Sequence, residues 1–270
     1  MSRTTLSVRA CRAIGITSTF LAASACGGPC DAQTLETETA RLLPRGSVEV
    51  GGSFEYQTAS EGRERAIPLI FEYGITDKLE LALEPVPYTA IRPSTGPRAT
   101  GLGDLEITLA QLLVHEKGAR PAFAIATELK VPTARNKLIG TGKMDYTAYL
   151  IVSKRFDSAD SHFNFGYTLP GSPAGTPLSG YMHGAAAIVY RPRTRTELFA
   201  EVLGQTAASE QGGEGGNGTT SAPVPEAGGA ELVATLGVGR QVSPATLLFA
   251  SVSYDNNSAM LIRTGFTVRR

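Results

Sequence analysis

Side chains that could perform chemistry are few in this chain, and they form no catalytic pattern. The three histidines, His115, His162 and His183, lie far apart, and none belongs to a His-x-x-His pair or another metal-ligand spacing. Ser161 and His162 are adjacent, and adjacent residues of a strand point to opposite faces, so they cannot form a catalytic pair. We therefore expect no catalytic residues, no metal and no cofactor.

Carboxylates are more informative, because within the alternating runs they fall on the face opposite the large apolar residues. In Leu79-Glu80-Leu81-Ala82-Leu83-Glu84, the carboxylates share one face and the leucines share the other. The candidate pore-lining residues with this parity are Glu80, Glu84, Glu106, Glu128, Lys130 and Glu201. Such charges either set the selectivity of a pore or pair across the interior and fill it, and the sequence leaves both readings open.

Apolar residues occupy the opposite face of the same runs. Between Gly101 and Lys154 three successive runs alternate, and Leu105, Ile107 and Leu109 fall on one face of the first. The other face mixes alanine and threonine with single charges, whereas a water-soluble sandwich would carry long, solvated side chains there. An apolar outer face and a small, polar inner face are typical of a transmembrane β-barrel.

Link lengths support the same architecture, since short and long links nearly alternate. The runs number about twelve, an even count that returns both ends of the chain to the periplasmic side. We predict a closed antiparallel transmembrane β-barrel with short periplasmic turns and longer extracellular loops. Thr206–Gly229, which is rich in Gly, Ser, Thr and Pro, is predicted to be a mobile extracellular loop. The pattern assigns no faces to the strands that begin near Tyr181 and Leu247.

The first residues have the features of a secretory signal. Arginines precede a short apolar stretch from Ile14 to about Ala25, and cleavage after Ala32 would remove all three cysteines. We assign residues 1–32 to a signal peptide, 33–46 to a periplasmic lead-in segment and 47–270 to an outer-membrane barrel. A lipoprotein signal with acylation at Cys26 remains an alternative, although Ala23 stands where the lipobox pattern has leucine.

Composition excludes other classes of protein. The 270 residues carry 25 basic and 25 acidic side chains, so no basic surface for nucleic acid is expected. No apolar run reaches the length of about 18 residues that a membrane-spanning helix needs. The partners expected instead are outer-membrane lipid, a small-molecule solute and the barrel-assembly machinery.

Three short motifs resemble an outer-membrane barrel family named after a phenol-degradation (meta) pathway. They are Leu102-Gly103-Asp104-Leu105, the strand end Lys130-Val131-Pro132-Thr133, and the hairpin Tyr73-Gly74-Ile75-Thr76-Asp77-Lys78-Leu79-Glu80-Leu81. The resemblance covers most of the chain after residue 35 and implies passage of small, hydrophobic or aromatic molecules. Such barrels usually end in an aromatic residue that the assembly machinery reads, whereas here Phe266 is followed by four more residues.

These observations predict an outer-membrane channel or transporter that is not an enzyme. A structural or adhesion barrel without transport is the alternative, and a lipid-modifying outer-membrane enzyme is the third hypothesis. The substrate, the oligomeric state and whether the lumen is open or plugged are not determined by the sequence.

Overall fold

The alternating runs become strands in the computed structural model, which describes residues 35–172, 178–207 and 230–270. The strands are β1 (Val48–Ala59), β2 (Gly62–Ile67), β3 (Leu69–Thr76), β4 (Leu79–Pro85), β5 (Tyr88–Pro93), β6 (Ala99–Gly101), β7 (Leu105–Val114), β8 (Ala122–Val131), β9 (Asp145–Arg155), β10 (Ala159–Leu169), β11 (Tyr181–Arg193), β12 (Thr196–Gln205), β13 (Glu231–Ser243), β14 (Thr246–Asp255) and β15 (Met260–Arg269). Within these described ranges no helix is long and apolar enough to cross a membrane.

The strands form one antiparallel sheet that closes on itself. From β7 to β15 each strand pairs with the next along the chain, and β15 returns to pair with β1, from Glu49 opposite Arg269 to Thr58 opposite Met260. Three pairs of segments, β2 with β3, β4 with β5 and β6 with β7, lie in line, so the wall has twelve strands. The predicted closed antiparallel barrel is confirmed.

Prolines account for two of these breaks. Pro68 separates β2 from β3, and Val86-Pro87 separates β4, which ends at Pro85, from β5. Proline has no N–H to donate to the ladder. The prolines of Pro85–Thr100 predict one long link there, but β5 and β6 continue the hairpin through this range. The strands therefore reach further at this point than the proline content predicts.

The two faces of the wall follow the alternation. Leu109, Ile125 and Phe163 are among the apolar side chains exposed on the outer face. The structure also assigns the two strands that the pattern left open. In β11 Ile188 points outward and Val189 inward, and in β14 Leu248 points outward and Leu247 inward.

The two ends of the barrel differ. The turn end is the end where β1 begins and β15 finishes, with the short links 77–78, 115–121, 156–158, 194–195 and 244–245. The opposite, loop end carries the longer links, although 60–61 and 256–259 are short. In the link between β8 and β9, Leu138 and Ile139 pack against Ile91 and Ala99. Most of the predicted mobile loop Thr206–Gly229 lies outside the described residues.

Candidate functional site: the barrel interior

The predicted inward residues do lie on the inner face of the wall. Glu80, Glu84, Glu128 and Glu201 are buried, with at most 4% of their surface exposed. Glu106 lies directly across from Lys130 on the neighbouring strand, and Lys130 forms an ion pair with Asp145. Glu128 accepts a hydrogen bond of 3.0 Å from the hydroxyl of Tyr149. The structure thus brings Glu106, Glu128 and Lys130 together, as the parity argument predicts.

The part of the interior towards the turn end, which we call the lower interior, is occupied by the chain itself. Residues Leu35–Leu43, which we call the interior segment, run inside the wall to the turn end and are buried except for half-buried Arg41. The chain then turns at Pro44–Gly46, where the N–H of Gly46 donates to the carbonyl of Gly74 at 2.8 Å, and enters β1. Residues 35–43 belong to the predicted periplasmic lead-in, and in the structure they lie inside the wall, where their polar groups have partners.

Side chains of the wall accept hydrogen bonds from the backbone of the interior segment. The N–H of Ala40 donates to Ser153 Oγ at 2.8 Å. The N–H groups of Thr37, Glu38 and Leu43 donate to Glu201, Asn164 and Glu80, respectively. Asn164 also donates through Nδ2 to the carbonyl of Glu38 at 3.0 Å. Wall side chains thus supply the hydrogen-bond acceptors that buried backbone donors require.

Ion pairs hold the segment near the turn end. The Arg41 guanidinium lies 2.9 Å from the carboxylate of Asp160 and 3.1 Å from that of Glu116. Asp160, which is fully buried, also pairs with Arg155 at 3.0 Å and with Arg191. A buried carboxylate without partners would be costly, so this cluster of arginines keeps Asp160 compatible with its position.

Arg41 pairs with two carboxylates of this cluster, Asp160 in β10 and Glu116 in the turn after β7. Partial burial acts to raise the pKa of Glu116, but hydrogen bonds from Lys154 at 2.6 Å, from the Arg155 N–H at 3.0 Å and from Arg41 outweigh burial. The net effect lowers the pKa of Glu116 below its ordinary value. The carboxylate therefore stays ionised for Arg41.

A second ionic contact lies at the other end of the interior segment. Glu36 forms an ion pair with Arg263 of β15, which also lies 2.7 Å from Glu55. Beside Leu35 and Glu36, the interior contains a cavity of about 40 Å³, also lined by Glu55 and Arg263. This volume holds a few water molecules, and Glu84 lines the same cavity.

Apolar residues of the wall receive two side chains of the interior segment. Leu42 packs in a cluster with inward alanines of β8, including Ala122, Ala124 and Ala126. Leu35 packs with Val189, Phe199 and Phe249 on the other side of the barrel. The small side chains of β8 therefore have a structural reason, since larger ones would occupy the space that the segment fills.

A Ser–His contact is present that the sequence does not reveal. Ser153 Oγ lies 2.9 Å from Nδ1 of His162, because the two residues are direct partners on β9 and β10. Ser153 is fully buried and already binds the backbone of Ala40. This pair positions the interior segment and has no access for a substrate. Over the described ranges, no group of three His, Cys, Asp or Glu residues is placed to hold a metal ion.

The contacts missed at the sequence level share one signal. Asp160, His162 and Asn164 alternate with Ser161, Phe163 and Phe165 along β10, so their inward parity can be read directly. What the parity does not show is their partner, because the interior segment is 113 to 164 residues distant in sequence from the wall residues that bind Thr37 through Ala40.

Comparisons with known proteins place the fold. No protein-family model and no curated protein matches the chain. Among solved structures, the NanC porin is similar with a TM-score of 0.56 and 9% identity, over 81% of this chain and 98% of that chain. The KdgM porin in complex with disordered oligogalacturonate is similar with a TM-score of 0.55 and 8% identity, over 82% and 98% of the respective chains. The chain therefore has the closed-barrel fold of outer-membrane porins.

Proposed function

We propose that the protein is an outer-membrane channel or transporter for small molecules. The observation that carries this proposal is a closed wall whose outer face is apolar and whose inner face is charged. In the outer membrane the apolar face contacts lipid, and the turn end faces the periplasm. The barrel-assembly machinery would then recognise the last strand, in which Phe266 lies on the lipid side.

The solute path in this proposal runs along the charged inner wall. Glu106 and Lys130, which lie opposite each other, line this path together with Glu128. Glu84 lies beside the start of the interior segment, on a cavity that Leu35 and Glu36 also line. Carboxylates in excess over cations favour the passage of cations over anions. Because the interior segment fills the lower part, passage of anything larger than a small ion requires the segment to move.

The class of solute is supported by the resemblance to the phenol-degradation barrel family, which suggests small hydrophobic or aromatic molecules. The printed name of one similar structure records an oligogalacturonate bound to that porin, which is a different class of solute. We retain the hydrophobic or aromatic class as the proposal for this chain, to be tested by adding such solutes to single channels.

Two other functions rest on specific observations. A structural or adhesion barrel without transport is favoured by the filled lower interior. A lipid-modifying enzyme would have to use Ser153 and His162, which are buried beneath Ala40. Phospholipid hydrolysis by the pure protein that is lost in Ser153→Ala would support the enzyme as the function.

Conductance in planar bilayers tests the channel directly. The double variant Glu106→Gln and Glu128→Gln should lower the cation-to-anion permeability ratio, since two lumen carboxylates are neutralised. The control is Asp157→Asn, which neutralises an exposed carboxylate in the turn between β9 and β10. An unchanged ratio in conducting channels excludes these carboxylates as the filter. A parent without any conductance supports the structural alternative.

A further inference from the structure

The interior segment is held in the way that a bound peptide is held. Its backbone N–H groups at Thr37, Glu38, Ala40 and Leu43 donate to four wall side chains, which belong to four different strands. Contacts to backbone do not depend on the identity of the peptide side chains, and they orient an extended chain. We call these wall residues, Glu80, Ser153, Asn164 and Glu201, the acceptor set.

Specific contacts add selectivity to the acceptor set. Arg263 binds the acidic side chain of Glu36 near the start of the segment. Asp160 and Glu116 bind the basic side chain of Arg41 near its end. Between them, the hydroxyl of Thr37 donates to Glu201. Along the segment the acidic, hydroxyl and basic side chains therefore follow in the order in which the wall offers their partners. A peptide that ran in the opposite direction would not match these partners.

Two apolar sockets complete the arrangement. One surrounds Leu42 with apolar residues of β7, β8 and β9, of which those of β8 are alanines, and the other surrounds Leu35 with residues of β11, β12 and β14. Apolar anchors at both ends of a polar track are typical of peptide-binding grooves. The groove is built by nine of the twelve wall strands and contributes no strand edge to the segment.

We propose that the lower barrel interior is a binding site for an extended peptide, occupied here in cis by Leu35–Leu43. The ligand class is an extended peptide with an acidic residue, a threonine and an arginine in the spacing of Glu36, Thr37 and Arg41. The segment is a dissociable ligand of the wall, so release and rebinding change access to the interior. This site is independent of which solute the barrel passes.

The proposal can be tested by cutting the chain where the segment leaves the barrel, after the whole chain has folded. Arg45 and Gly46 are exposed at the turn end, between the buried segment and β1. A site-specific protease sequence introduced there separates the segment from a barrel that is already folded. Mass spectrometry after dialysis then reports whether the segment remains bound.

The expected result is loss of the cut segment on dilution, followed by saturable rebinding. The probe is a fluorescent peptide with the sequence of Leu35–Arg45, followed by anisotropy in detergent. It should bind the cut and dialysed barrel, and it should not bind the uncut protein, in which the site is occupied. A scrambled peptide of equal composition should bind at least tenfold more weakly.

A pair of wall variants assigns the binding to the groove. Asn164→Leu removes the groups that bind both the N–H and the carbonyl of Glu38, and it should weaken peptide binding about tenfold. Thr235→Val is the control, because Thr235 is also inward but bonds Ser253 at 2.8 Å. Equal effects of the two variants contradict the assigned groove.

A second measurement uses the uncut chain. Ser153→Cys places a thiol beneath Ala40, and its reaction with a water-soluble thiol reagent reports transient release of the segment. Arg41→Ala should raise this reaction rate at least fivefold, while Arg135→Ala in the exposed loop after β8 should leave it unchanged. A cut segment that stays bound, a dialysed barrel that does not rebind the peptide, or a thiol that never reacts overturns the proposal.

Discussion

At the scale of single residues, the interior is governed by how each buried charge finds a partner. Asp160 is surrounded by Arg41, Arg155 and Arg191, and Glu36 is paired with Arg263. Other carboxylates, such as Glu80 and Glu201, accept backbone N–H groups instead. Both kinds of contact give a buried polar group a partner, and both involve the interior segment.

The turn-end ion pairs should depend on pH through Glu116. Its folded pKa is lowered, so its contribution to stability is fully present above the ordinary value of 4.5 and is lost as pH falls through the lowered folded pKa. Unfolding midpoints in urea should show a difference between the parent and Glu116→Gln that is constant from about pH 8 to 5. Below that the difference should shrink. A difference that stays constant to pH 3 would contradict this account.

Gly74 should tolerate no side chain, because the interior segment leaves the barrel across it. An added Cβ would overlap the carbonyl oxygen of Pro44 and lie 2.7 Å from that of Leu43. Gly74→Ala should destabilise the barrel by about 1–3 kcal/mol, measured by urea unfolding. Gly204→Ala is the matched control, since the nearest atom to its Cβ would be Leu232 Cδ1 at 3.6 Å. Similar losses of stability in both variants would show that the close approach of Pro44 and Leu43 to Gly74 is not the cause.

At the scale of elements, the strands combine two requirements in one alternating pattern. The outer residues of β8, such as Ile125, are exposed on the apolar face, while Ala122, Ala124 and Ala126 leave room inside. The pattern therefore predicts the strands and their faces well. It fails where the partner is remote: the small inner residues indicate a narrow interior, but they do not reveal that Leu35–Leu43 fills it.

Sequence reasoning is also limited where pairing overrides local signals. Pro85 and Pro87 suggest a loop, yet β5 pairs with β2 on one side and with β6 on the other. The candidate residues Glu80, Glu84 and Glu201 were predictable because parity alone fixes their face. The contact of Ser153 with His162 was not, because it depends on the register of β9 against β10.

The lipid face of β7 offers a test of depth. Leu109 is exposed in the middle of the wall, and Leu113 is exposed near the turn end of the same strand. Leu109→Arg should cost about 2–4 kcal/mol and lower the assembled fraction, whereas Leu113→Arg should cost about 0–1 kcal/mol. Folding titrations into lipid vesicles measure both. Equal costs would show that the two positions are not at different membrane depths.

At the scale of the whole molecule, closure explains why one wall can serve lipid on the outside and polar groups inside. The pairing of β15 with β1 extends from Glu49 to Thr58, so the first and last strands have no free edge along this length. In a bilayer each unpaired backbone group would be costly, which is why closed barrels can span it. The porin-like fold and the charged interior are both consequences of this closure.

Closure should also make the folded protein resistant to mild detergent. An unboiled sample should migrate differently from a boiled one on a denaturing gel, because the closed ladder opens only on heating. Cell fractionation should place the shifted species in the outer membrane. Gly52→Pro, which removes a donor from β1 in the seam opposite Phe266, should reduce the heat-sensitive shift. Recovery of the parent in the soluble periplasmic fraction, without a shift, would contradict the outer-membrane barrel.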